Sequence, residues 1–312
     1  MFLRLYISIL VTYLSIDLHS QEISNILHNK QFKFEELTYK DGLKHHSITE
    51  VSQDSRGYMW FGTFNGIYKY DGYTFKIYKN IIQDKNSLIE NNINIVKEDN
   101  FGNIWIGTNG GLCRYNRNKD NFKRTIYTSD SSKSELIIKD KIYCILQDVD
   151  NILWIGTNSG LYQLINNKDN IFSVKHFTSK NYNLHSDIVK SIIQDEKGNI
   201  WIGTSNGLNL LSYKETKKVK FYDYTKHLSY RFSPTYLRSK NHLSNNFITS
   251  LALDYNGNLW IGTGYGLNKL VYLPDGNTYK IQNFYNNKDD PNSIAGNEIT
   301  TICPDKNRTV WI

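Results

Sequence analysis

One eight-residue phrase, Trp-Ile-Gly-Thr-x-x-Gly-Leu, recurs along this chain and constrains its fold more than any other feature. It first appears as Trp60-Phe61-Gly62-Thr63-Phe64-Asn65-Gly66-Ile67. It returns at Trp105, Trp154, Trp201 and Trp260, and Val310-Trp311-Ile312 opens a sixth copy. The sequence holds six Trp, all at this position, at spacings of 45, 49, 47, 59 and 51 residues. Self-similarity at such a period is the signature of a repeat architecture.

Within each unit the spacing is fixed. Six residues before each Trp stands Asp: Asp54, Asp99, Asp148, Asp195, Asp254 and Asp305. Twelve before it stands a β-branched residue: Ile48, Ile93, Ile142, Val189, Ile248 and Ile299. Three before it is Gly, except at Asn151 and Arg308. The variable length therefore lies between units. Each unit reads as four short strands. Strand A runs from Ile48 to Gln53, and Asp-x-x-Gly turns the chain, with Asp bonding backbone two residues on and Gly accepting a positive φ. Strand B is Met59-Trp60-Phe61, apolar on consecutive positions and so covered on both faces. Gly-Thr-x-x-Gly makes a second hairpin into strand C. A less regular strand D follows, as in Phe75 to Tyr78, Phe122 to Tyr127 and Ile281 to Tyr285. Repeated four-stranded antiparallel units of this length predict an all-β fold, a β-propeller.

The expected organisation is residues 1–20 as a secretory signal, 21–44 as a leader with a lone strand at Phe32 to Leu37, and 45–312 as propeller repeats. The blades fall at about 45–80, 90–128, 139–178, 186–225 and 245–286, with a partial one at 296–312. Five complete repeats and the start of a sixth suggest an incomplete seven-bladed propeller and a chain cut short. In the signal, Arg4 is the positive flank, Leu5 to Ile16 the apolar run and Ser20 the cleavage edge. The run is short for a membrane span, and nothing later reaches that length.

Composition narrows the function classes. Aromatics make up 14% and Pro only 4 residues, which is not a disordered composition. The net charge of +7 is interspersed, without a basic helix or basic–aromatic motif, and nucleic acid is not an expected partner. Cys113, Cys144 and Cys303 are too few and too oddly spaced for a disulfide framework or a metal site, and read as buried thiols within strands. The eight His lack ligand spacing; no metal and no cofactor are expected. The Trp read as wedges between blades and the Asp as turn caps, because a ligand rarely needs one residue from every repeat.

At Thr38-Tyr39-Lys40-Asp41-Gly42-Leu43, Gln53-Asp54, Gly57, Trp60-Phe61-Gly62-Thr63, Gly66-Ile67 and Tyr70-Asp71-Gly72 the chain resembles the first blade of the two-component regulator propeller family. Asn86-Ser87-Leu88-Ile89-Glu90-Asn91 and Asp290-Pro291-Asn292-Ser293-Ile294 are similar to its inter-blade linker. The resemblance runs from about residue 32 to the end. It implies the exported, periplasmic sensor half of a hybrid two-component receptor. There, two seven-bladed propellers precede a β-sandwich, a membrane helix and a histidine kinase, and the ligands are commonly polysaccharide fragments. The partners implied are a small-molecule or oligosaccharide ligand and the remaining blades and kinase portion of a parent receptor. The resemblance also admits a homodimer.

Antiparallel order puts the B–C hairpins and the D–A linkers on one rim, where loops can vary over a fixed scaffold. The candidate ligand residues there are Phe64, Asn65, Asn109, Asn158, Ser159, Asn206 and Tyr265, with His46 beside them. Tyr230, Tyr236 and Arg238 join them from the long linker Asp223 to Asn241. Amides and aromatic rings suit a sugar, although Asn and Gly also simply make good turns. No catalytic residue is assigned. The alternatives are a propeller enzyme of the lyase or glycosidase kind, with His45-His46 its best candidate, and a fragment without function.

Overall fold

In a computed structural model of the protein, the described residues are 37–44, 47–124, 126–128, 135–168, 171–182, 184–211, 242–272, 279–305 and 307–312. The signal, the strand expected before Leu37 and the long linker lie outside them. The chain divides into two units, Met1–Lys44 and His45–Ile312. The described part of the first is one 3-10 turn, Tyr39–Asp41, capped by Thr38 and closed by Gly42 at φ 105°.

The second unit is an all-β propeller of consecutive antiparallel sheets. Blade 1 comprises β1 (Ile48–Gln53), β2 (Met59–Thr63), β3 (Gly66–Tyr70) and β4 (Phe75–Tyr78) in sequential order. Blade 2 comprises β5 (Ile93–Glu98), β6 (Ile104–Thr108), β7 (Gly111–Asn116) and β8 (Asn121–Lys123). Two short strands, β9 (Ile126–Thr128) and β10 (Glu135–Leu136), precede blade 3. That blade is β11 (Ile142–Gln147), β12 (Leu153–Thr157), β13 (Leu161–Lys168) and β14 (Ile171–Phe177). Blade 4 has β15 (Val189–Gln194), β16 (Ile200–Thr204) and β17 (Gly207–Leu211), and the fourth strand expected before residue 225 lies outside the described residues. Blade 5 has β18 (Ile248–Leu253), β19 (Leu259–Thr263), β20 (Leu267–Tyr272) and β21 (Tyr279–Phe284). The pair β22 (Cys303–Pro304) and β23 (Val310–Trp311) follows. The first strands of successive blades pack on one another: β1 on β5, β5 on β11, β11 on β15 and β15 on β18.

Blade 2 departs from the four-strand expectation at Phe122 to Tyr127. Its last strand ends at Lys123, and Ile126–Thr128 crosses to run parallel to β14 of blade 3. The break has a local cause. The Phe122 amide donates to Asn86 O, and the Arg124 guanidinium bonds Ser87 O, Leu88 O and Ser87 Oγ, so the chain is gripped by the preceding linker. Phe122 therefore packs with Trp60, whereas Ile126 packs with Trp105.

The Asp-x-x-Gly turn and the Trp form one device. In blade 1, Asp54 Oδ1 accepts from the amides of Arg56 (3.0 Å) and Tyr58 (3.1 Å), and Oδ2 accepts the Trp60 indole N–H at 3.0 Å. The same indole bond is 2.8 Å at Trp105 and Trp154 and 3.0 Å at Trp201, Trp260 and Trp311. A buried indole N–H is thus satisfied by the residue that caps the turn. The turn demands left-handed backbone at one place: Gly57 has φ 87°, and the two non-glycine copies, Asn151 and Arg308, adopt 62° and 67°.

Each buried indole is seated against the following blade. Trp60 clusters with Ile93, Ile104 and Tyr115, Trp154 with Val189, Ile200 and Leu211, and Trp201 with Ile248, Leu259 and Leu270. Trp260 is partly buried, and Trp311 is 62% exposed. The Gly of Gly-Thr is not a turn residue, contrary to the hairpin reading. It lies inside the second strand, where a Cβ on Gly62, Gly107, Gly203 or Gly262 would come within 2.8, 2.6, 2.5 or 2.7 Å of Cγ2 of the opening Ile of the next blade. The β-branched opener of one blade therefore fills a notch in its predecessor. The Thr that follows is fully buried, and its hydroxyl donates to the carbonyl of the second Gly, 2.8 Å from Thr63 Oγ1 to Gly66 O.

Two further kinds of fastener cross the blade junctions, and the junction of blades 2 and 3 has both. Each first strand carries a bulge after its opener, as at Ile48/Glu50 and Ile93/Ile95. The extra residue reaches the next blade: Thr49 Oγ1 donates to Ile93 O at 2.7 Å and Asn94 Nδ2 to Ile142 O at 2.8 Å. At the other end of the strand, Gln147 Oε1 accepts from the Asn100 amide and Gln194 Oε1 from the Val149 amide, at 2.6 and 2.9 Å.

The turn carboxylates give the fold a defined acid response. Burial opposes ionisation of Asp254, but hydrogen bonds from Asn258 and Trp260 outweigh it and hold its pKa at about 2. Asp54 is also held low against burial, by the Trp60 indole and Arg117. Groups lowered in the folded state contribute stability that is complete above the ordinary carboxylate pKa of about 3.9 and is lost as pH falls towards 2. Asp148 has the opposite sign, because burial raises it. The expected result is a urea midpoint that falls between about pH 4 and pH 2, and a flatter fall in Asp254→Asn. An unchanged slope in that variant would refute the assignment.

Candidate ligand-binding rim

The B–C hairpins and the ends of the D–A linkers meet at one edge of each blade. The first tip residue is tied to the residue before its own first strand: Asn109 N to Asn92 O (3.1 Å), Asn158 N to Lys141 O (3.1 Å), Ser205 N to Ile188 O (3.0 Å) and Gly264 N to Phe247 O (2.9 Å). The second Gly has φ between 104° and 138° in all five copies, a conformation open to glycine at little cost. The tips are held from below by the Thr hydroxyl, which also accepts the tip amide, as from Asn65 N at 3.0 Å. The frame is constant and the side chains above it are free to vary.

The linkers repeat as well. Asn80 Nδ2 donates to Leu88 O and Ile89 O, and its amide to Asn91 Oδ1; Asn286 makes the same bonds to Ile294 O, Ala295 O and Asn297 Oδ1. Ser87 and Ser293 close the two loops by accepting the amides of Ile81 and Asn287. The Asn-Ser phrase in the sequence is thus a stapled loop that delivers the next blade's first strand to the rim.

Phe64 (56% exposed) and Tyr265 (55%) stand out from the tips, and Asn65, Asn158 and Asn206 are exposed beside the backbone turns. Asn109 and Ser159 are half-buried. Asn109 Oδ1 accepts from Asn94 Nδ2 at 2.9 Å, and Ser159 O lies 2.9 Å from the His176 ring, which stacks on Tyr162 at 4.0 Å. No hydrogen bond joins tips of different blades among the described residues. His46, Tyr230, Tyr236 and Arg238 lie outside those residues.

Several rim groups escaped the sequence reading. Phe247 and Tyr285 are exposed, and Tyr285 lies 6.0 Å from Tyr265. Tyr143 and Lys190 occupy the bulge position of blades 3 and 4, with the Lys190 ammonium 3.7 Å from the Tyr143 ring centre. Their only signal was a variable slot after an invariant β-branched residue. Asn92 Oδ1 is buried at the rim without a hydrogen-bond partner among the described residues.

Burial pushes the Cys113 and Cys144 thiols up to about 12, so both are held protonated. Cys303, read as a buried thiol, is exposed. No cluster of three His, Cys, Asp or Glu suited to a metal ion occurs among the described residues, and no helix among them is long and apolar enough to cross a membrane.

The two-component regulator propeller family model matches at residues 42–65, 87–110, 137–159, 183–206 and 242–265. Each match runs from the approach to the first strand through the B–C tip. Histidine kinase P4 of Formosa agariphila is 40% identical over 80 residues, 26% of this chain and 5% of that protein. The extracellular domain of the hybrid two-component system BT3049 of B. thetaiotaomicron superposes with a TM-score of 0.58 at 23% identity, over 89% of this chain and 40% of that one. A catalytically inactive virginiamycin B lyase of Staphylococcus aureus, solved with quinupristin, gives 0.54 at 11% identity over 89% and 80%. At these identities the two structures speak for the fold alone. The chain spans under half the length of the BT3049 domain and a small part of the kinase. The five matches fall one to each blade, on its first two strands, so the chain is built on the repeat of the two-component regulator propeller family.

Proposed function

We propose that this propeller is the extracytoplasmic, periplasmic ligand-sensing region of a two-component receptor, that it recognises a carbohydrate at the B–C rim, and that it passes the signal to the kinase portion of a parent protein. One observation carries the reading: exposed aromatic rings and amides stand on hairpins whose backbone is fixed by buried Thr and Gly. Sugar recognition needs a ring to stack on C–H faces and amides to pair with hydroxyls, on a support that does not move. The repeat matches and the kinase relative support the signalling class. The recognition step is binding alone, with no cofactor and no bond broken.

A thermal-shift screen of oligosaccharides, with chromatography of the incubated sugars, tests this. We expect a saturable shift without products. Phe64→Ala and Tyr265→Ala should change stability by less than about 0.5 kcal/mol, since both side chains are exposed. Either should weaken the sugar about tenfold or more, the loss of one stacking contact. Products in the incubation would favour the lyase-like alternative. A sugar shift unaltered in both variants would remove the rim from the account.

A further inference from the structure

The residue opposite each Trp on the third strand is cationic in blades 1, 2 and 5. Lys69, Arg114 and Lys269 pair across from Trp60, Trp105 and Trp260 and lie 5.6, 5.5 and 4.8 Å from their rings. In blade 5 the charge is balanced, because Lys269 Nζ is 3.2 Å from Asp254 Oδ2. In blade 1 the corresponding carboxylate has been taken. Arg117, arriving from blade 2, holds Asp54 Oδ2 at 3.0 Å and Glu98 Oε1 at 2.7 Å. Lys69 is left with one hydrogen bond, to the Tyr115 hydroxyl at 3.3 Å, and with the Tyr58 ring at 4.0 Å. It makes no ion pair among the described residues. Its nearby carboxylates, Asp120 and Asp54, are each engaged by another cation, and burial lowers the pKa of this half-buried ammonium, which is costly to hold charged.

This ammonium faces a cavity of about 370 Å³ on the edge opposite the B–C rim, between the turns of blade 1 and the last hairpin of blade 2. Arg56 lines the same cavity and makes no ion pair among the described residues. The other charges there are committed. Asp120 is engaged by Lys76 and by the Tyr78 and Tyr115 hydroxyls, and Asp71 accepts from the Tyr73 and Thr74 amides. The volume is at the lower end for small-molecule sites and exceeds what a bare inorganic anion fills.

We propose that this cavity binds a small acidic solute through one oxyanion, a carboxylate, sulfate or phosphate group, held by Lys69 and Arg56. The site is independent of the proposed sugar rim. Lys69 supplies a point charge with two unused N–H donors, and Arg56 a planar fork suited to two oxygens.

The test is titration of the protein with sodium sulfate, sodium phosphate, glucuronate and, as a neutral control, glucose, at constant ionic strength set by sodium chloride. Thermal midpoint and tryptophan fluorescence are the readouts. A saturable rise in midpoint is expected with at least one of the three anions and not with glucose. Preference for glucuronate would identify a sugar acid, and preference for sulfate or phosphate an inorganic or ester oxyanion. Lys69→Met, which keeps the apolar stem, should equal or exceed the parent in midpoint without anion and should weaken binding about tenfold or more. Arg56→Gln, at an exposed position, should weaken binding with the anion-free midpoint unchanged. Equal anion responses in parent and both variants, or no saturable response to any of the three anions, would overturn the proposal.

Discussion

Replacing Trp154 with alanine is expected to lower stability by about 3–5 kcal/mol, the cost of emptying a fully buried aromatic site. Three losses combine there. The indole leaves a void among Val189, Ile200, Ile202 and Leu211 of the next blade. It abandons its stack on Phe177, whose ring centre lies 6.0 Å away. Asp148 then keeps two backbone donors and loses the third, at a site where burial already raises its pKa. Trp311→Ala, by contrast, should cost little, because that ring is 62% exposed in this chain. Urea unfolding followed by far-ultraviolet circular dichroism separates the two. Comparable losses would mean that the indoles do not work through the blade junctions.

The second large effect is expected from the smallest side chain. Gly203→Ala adds one methyl, 2.5 Å from Ile248 Cγ2 and 3.1 Å from Ile248 Cβ. Those atoms belong to a rigid β-branched residue at the start of the next blade, so the blade itself must shift. Overpacking of this kind costs about 1–3 kcal/mol. Gly57→Ala should be destabilising for another reason. Nothing lies within 4 Å of its Cβ position, and the cost is the left-handed backbone alone. The two glycine positions of the repeat thus serve different ends: by urea midpoint, Ile248→Ala should relieve part of the cost of Gly203→Ala and leave the cost of Gly57→Ala unchanged.

The contrast shows where sequence reasoning reached and where it stopped. The four-strand repeat and its turns were legible because Asp, Gly and Trp recur at fixed offsets within one blade. The notch was not. It joins Gly62 to Ile93, in different repeats, and both positions had separate local readings, as turn and as strand opener. The indole–Asp bond was missed similarly, since a cap and a wedge each seemed sufficient alone. The crossing of Ile126–Thr128 into blade 3 follows from Arg124 and the 81–91 linker, contacts no periodicity encodes. On the rim, Phe64 and Tyr265 were visible as variable tips in a constant hairpin. Phe247, Tyr285, Tyr143 and Lys190 were not, because their place depends on how linkers and bulges fold back. The unpaired Lys69 emerges only when blade 1 is set beside blade 5, where the same position keeps its carboxylate.

The central claim is that the repeat motif fastens each blade to the next. A double-mutant cycle on Gly203 and Ile248 tests it most directly. Gly203→Ala and Ile248→Ala should each destabilise, the second by about 2–5 kcal/mol as a large-to-small core change. If the methyl of the first fills space vacated by the second, the double variant should be more stable than the sum of the two losses predicts, by about 1 kcal/mol or more. Strict additivity would mean that the two residues do not touch, and would contradict the account.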